Sequence, residues 1–64
     1  MKNNIKVERA RKGITQAELA LQVDVSRQTI NAIELGKYNP STELALKMAR
    51  YFGCSVEDIF SLEE

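Results

Sequence analysis

The 64 residues offer hydrogen bonding rather than covalent catalysis. There is no His and only one Cys, Cys54, so neither a His-based acid–base centre nor a zinc site is expected. No nucleophile–base pair, metal-ligand cluster or phosphate-cradling glycine loop is present. The reading is therefore no enzyme, no cofactor, no metal and no small-molecule ligand. What stands out is a run of polar side chains, Arg27, Gln28, Thr29 and Asn31, preceded by Ser26. On a helix laid in a major groove, Arg pairs with guanine O6 and N7, and Gln with adenine N6 and N7.

Such side chains need a helix to carry them, and the punctuation of the chain is helical. Thr15 precedes Glu18 at capping-box spacing, which satisfies two orphan amides at a helix start. Ser26, Ser41 and Ser55 are three further N-cap candidates, and Gly13, Gly36 and Gly53 suit left-handed helix ends. These signals predict five short helices near 6–12, 16–23, 27–35, 42–52 and 56–61. Apolar spacing agrees: Leu19, Ala20 and Val23 share a face, as do Ile30 and Ile33, and Leu44, Ala45, Met48, Ala49 and Phe52 form a broad stripe. Ile5 and Val7 sit at strand spacing, and 59–62 can run extended, so a short antiparallel pairing of the two chain ends is an option. The expected fold is all-α, a compact five-helix single domain over 1–64, since a second core needs about 40 to 50 more residues.

Residues 16–35 carry the most specific pattern, that of a helix-turn-helix. Ala20 is small where two helices must cross. Leu19, Val23, Val25, Ile30 and Ile33 point inward, and Ser26 caps the second helix, whose outer face is polar. The turn usually prefers Gly. Here it is Asp24, which tolerates a left-handed backbone with mild strain.

With those residues in place, 13–20, 25–30 and 33–41 resemble the Xre-type helix-turn-helix regulators, the family of phage Cro proteins and lambdoid repressors, in its short single-domain form. The resemblance implies a lambda-repressor-like fold and binding of double-stranded DNA by a homodimer in the cytoplasm. It also implies roles for particular residues. Gln16 matches a residue that bonds phosphate and braces the second helix of the motif. Gln28 matches a base reader, Arg27 reads guanine or holds phosphate, and Ser26, Thr29 and Asn31 lie on the same face. Lys37, Tyr38 and Asn39 match a loop that touches the DNA backbone. Arg9 and Glu34 match a paired Arg and Glu, expected to form a largely buried ion pair. Glu8 departs from the pattern, standing where many relatives carry an apolar residue.

Charge supports a polyanionic partner only after the chain is divided. Residues 1–37 carry seven basic against four acidic side chains, +3; residues 38–64 carry two against five, −3. No apolar run is long enough to span a membrane, no secretory signal follows the N-terminus, and a lone Cys fits a reducing cytoplasm. Cys54 reads as packing and Met48 as core filler. Val56, Ile59, Phe60 and Leu62 are more apolar than a short tail needs, making them the expected dimer contact. The function expected is a sequence-specific transcriptional regulator, a repressor at a near-palindromic operator. The alternative is an antitoxin or protein-interaction module on the same fold, favoured by Leu21 and Leu35 on otherwise polar faces.

Overall fold

The computed structural model describes residues 1–63, and its order is β1 (Lys2–Asn3), α1 (Ile5–Lys12), α2 (Gln16–Val23), α3 (Arg27–Glu34), α4 (Thr42–Phe52), α5 (Val56–Ile59) and β2 (Phe60–Ser61). The caps explain the boundaries. Thr15 Oγ1 accepts from the Glu18 amide and the Glu18 carboxylate accepts from the Thr15 amide, both at 3.1 Å, so α2 cannot begin earlier. Ser55 and Asp58 repeat the arrangement at α5, while Ser26 and Ser41 cap α3 and α4 through the amides of Thr29 and Leu44. Gly13 and Gly53 end α1 and α4 in the left-handed region at φ 67° and 71°.

Asp24 takes φ 62° in the turn between α2 and α3, the one non-glycine residue at positive φ among the described residues. The chain turns there because the Val25 amide reaches back to the Ala20 carbonyl at 3.0 Å. Ala20 is buried, and its small side chain lets α2 and α3 cross closely. Ile5, Leu19, Ile30 and Met48 are fully buried and bring α1 to α4 onto one core. Removing each such side chain from water contributes about 1.5 to 3 kcal/mol.

The two chain ends pair antiparallel, Lys2 with Ser61 and Asn3 with Phe60. The N-terminal strand precedes Ile5 and Val7, which lie in α1 despite their strand-like spacing. The last helix is correspondingly shorter than 56–61, because Phe60 turns extended to join the pairing.

That pairing draws Ile59 and Phe60, two of the four residues expected at the dimer contact, into the chain's own fold. The Asn4 amide donates to the Ile59 carbonyl at 2.8 Å and folds the tail over the core, leaving Ile59 1% and Phe60 6% exposed. Both residues close the chain's own core. Val56 is half-buried, and Leu62 stands out at 77% exposed.

Candidate nucleic-acid interface

Five of the expected residues, Arg9, Gln16, Arg27, Asn31 and Glu34, form a hydrogen-bonded ladder across α1, α2 and α3. At its inner end Arg9 meets Glu34 in a forked pair, Nε donating to Oε2 at 2.7 Å and Nη2 to Oε1 at 3.1 Å. The two side chains are 15% and 9% exposed, and Arg9 Nη1 also reaches the Ile14 carbonyl. The hydrogen bonding of Arg9 to Glu34 holds the guanidinium above its ordinary pKa, against the opposing effect of burial.

From Glu34 the ladder runs outward through Gln16, the first residue of α2. Gln16 Nε2 donates to Glu34 Oε1 and to Asn31 Oδ1, each at 3.1 Å, and Gln16 Oε1 accepts from Arg27 Nη1 at 3.3 Å. Both amide protons of Gln16 are therefore engaged inside the protein. What its helix end still offers a phosphate is the backbone. The capping box satisfies the Thr15 and Glu18 amides, leaving those of Gln16 and Ala17 at the positive end of the helix dipole.

On α3 the outer face carries Gln28 and Asn31 one turn apart, with Arg27 beside them and Leu35 following at the helix end, all exposed. The Gln28 side chain makes no hydrogen bond among the described residues, so both ends of its amide are available. Ser26 and Thr29 are placed differently. Ser26 Oγ caps the Thr29 amide and bonds the Thr29 hydroxyl at 2.9 Å, and Thr29 is half-buried in a cleft with Tyr38 and Ser41. They hold the start of the helix in shape. Lys37, Tyr38 and Asn39 lie exposed in the α3–α4 loop, and Lys37 forms no ion pair among the described residues.

Lys6 escaped the sequence reading. It lines a polar cleft of about 490 Å³ with Asn3, Arg9, Gln16, Asn31 and Glu34, adding an exposed cation at the edge of the α2–α3 face. It lies outside the helix-turn-helix stretch, and the one signal for it was its place among the basic residues of the first half. Glu8 is accommodated in α1 by an ion pair with Arg11 at 3.0 Å. Burial first, then the carboxylates of Glu8 and Asp58, raise the Cys54 thiol above its ordinary pKa, with Arg11 opposing. The protonated thiol behaves as packing.

Residues 5–59 match the helix-turn-helix family model. The whole chain aligns with a helix-turn-helix-type transcriptional regulator of Methanocaldococcus jannaschii at 55% identity, covering 97% of that protein. It aligns equally completely with regulators of the same description from Archaeoglobus fulgidus, 52% identical over 90% of the relative, and Bacillus subtilis, 52% identical over 97%.

Proposed function

Since the chain belongs to the Xre-like helix-turn-helix family of DNA-binding transcriptional regulators, we propose that it is a sequence-specific repressor, occupying a near-palindromic operator as a homodimer. The observation that carries the reading is the ladder from Arg9 to Arg27, which locks α2 to α3 while Gln28 and the far side of Asn31 stay unpaired. A rigid helix with unpaired amides on its outer row suits a major groove, and the free amides opening α2 suit an adjacent phosphate. Occupancy alone suffices for repression.

The dimer rests on a size argument and on surface. One recognition helix reads only about four base pairs, too few to select a site in a genome, and two-fold symmetry doubles the readout. Leu46 and Leu62 are exposed, and a groove of about 220 Å³ beside Leu46 is lined by Met1, Pro40, Ala45, Val56 and Phe60. A second copy seated there would cover apolar surface away from α3. Gel shift with DNA flanking the chain's own gene, together with sedimentation of the free and bound protein, tests the reading. A retarded complex of two chains on one duplex is expected. No retardation at low salt, or one chain per duplex, would contradict it.

Within this reading Lys37 holds phosphate and carries no sequence information. Lys37→Ala is expected to weaken operator and scrambled DNA alike, and to reduce the slope of log affinity against log salt by about one, because one fewer counterion is released. Affinities measured across a salt series check it; an unchanged slope would remove Lys37 from the backbone contacts.

A further inference from the structure

We propose that the polar cleft between α1 and α3 seats one phosphodiester of the duplex backbone, Lys6 neutralising its phosphate and Leu35 covering its sugar; this rests on the DNA-binding reading above. The cleft holds about 490 Å³ and is lined by Lys6, Arg9 and Glu34 among others. Arg9 and Glu34 cancel in their forked pair at 2.7 and 3.1 Å, which leaves Lys6 as the net charge of the cleft. Lys6 is exposed and forms no ion pair among the described residues. Arg11, Lys12 and Lys47 are each occupied instead: Arg11 holds Glu8, Lys47 holds Glu43, and Lys12 lies 4.8 Å over the Tyr51 ring. The flexible stem of Lys6 lets its ammonium meet a phosphate without a fixed geometry.

Gln16 and Asn31 wall the same cleft, so a backbone entering it runs past the helix that carries Gln28. Leu35 rims it at the end of α3, 60% exposed on an otherwise polar face. A nucleic-acid backbone alternates anionic phosphate with the carbons of deoxyribose, so a free cation beside an exposed leucine matches one repeat of it. A base edge in the major groove asks mainly for donors and acceptors, which Leu35 lacks. Because Lys6 belongs to α1, the contact carries the footprint beyond the helix-turn-helix.

The test compares the whole chain with Lys6→Ala, Leu35→Ala and Lys12→Ala, each first confirmed as folded by a thermal melt. Each is titrated from about 50 to 200 mM salt against a duplex flanking the chain's own gene and against a scrambled duplex. Lys6→Ala should weaken both duplexes alike and lower the slope of log affinity against log salt by about one. Its defect should therefore shrink roughly 3- to 4-fold across that salt range. Leu35→Ala should weaken both duplexes with the slope unchanged, because an apolar contact releases no counterion. Lys12→Ala removes the same charge from the other end of α1 and should leave the slope as it is. Flanking duplexes carrying one uncharged methylphosphonate at successive positions then separate a direct contact from a long-range field. At least one position should weaken the wild type several-fold and leave Lys6→Ala unaffected. An unchanged slope for Lys6→Ala, an equal fall for Lys12→Ala, or no methylphosphonate position that distinguishes Lys6→Ala from wild type would each overturn the proposal. So would full affinity in Leu35→Ala, or a loss confined to the flanking duplex. Wild-type chain that binds neither duplex at low salt would overturn the DNA-binding reading itself, and this inference with it.

Discussion

Glu34→Ala is expected to lower the stability of the chain by about 3 kcal/mol, because it strands a charge in a mostly enclosed place. The carboxylate takes two bonds from Arg9 and a third from Gln16, at 2.7, 3.1 and 3.1 Å. Without it the guanidinium keeps, among the described residues, only the Ile14 carbonyl, at 3.3 Å. Domains of this size have about 3 to 10 kcal/mol in total, so the loss is a large share. It corresponds to a fall in Tm of roughly 12 to 24 °C. The internal control is Glu8→Ala. Glu8 pairs with Arg11 within α1; the Glu8 side chain is 14% exposed but that of Arg11 is 72% exposed, so water solvates the cation once Glu8 is removed and the pair contributes about 0 to 1 kcal/mol. Replacing Arg9 and Glu34 together by Met and Leu should cost less than Glu34→Ala alone, because no charge is then left unpaired. Urea unfolding of the four proteins reads this directly. Equal midpoints for Glu34→Ala and Glu8→Ala would mean that the pair is solvated and the ladder has no anchor.

The second large effect is on binding. Gln28→Ala is expected to cost about 1 to 3 kcal/mol on the operator and much less on scrambled DNA, with stability changed by no more than about 0.5 kcal/mol. Both ends of the Gln28 amide are free, unlike those of Gln16, so the residue can still pair with adenine N6 and N7. Arg27→Ala should lose affinity on both DNAs, because the charge that reads a base also attracts phosphate. Titration of each variant against operator and scrambled duplex separates the two. Equal losses on both DNAs for Gln28→Ala would move base reading elsewhere on α3.

Much of this was legible in the sequence because it is local. Thr15 and Glu18, or Ser26 and Thr29, lie three residues apart, and their hydrogen bonds form wherever that stretch is helical. Asp24 in the left-handed region and the buried faces of α2 to α4 follow from residue type and period. The tail was harder to read. Ile59 and Phe60 looked like spare apolar surface because nothing near them in sequence covers them; their partners are Asn4 and Asn3, more than 50 residues away. Lys6 belongs to the site only through the way α1 lies against α2 and α3. The engagement of Asn31 depends on Gln16 of α2, itself held between Glu34 and Arg27 of α3, and spacing alone says only that an Asn stands on the outer row.

In the proposed complex the α2–α3 face, with the adjoining 37–39 loop, meets duplex DNA, and amide chemical-shift mapping during titration with operator duplex tests this most directly. The amides of Gln16, Ala17, Arg27, Gln28 and Asn31, with those of 37–39, are expected to shift, while Leu46, Val56 and Leu62 follow only any change in dimer population. Shifts confined to α4, α5 and the chain ends, with the Gln16 and Gln28 amides unmoved, would contradict it.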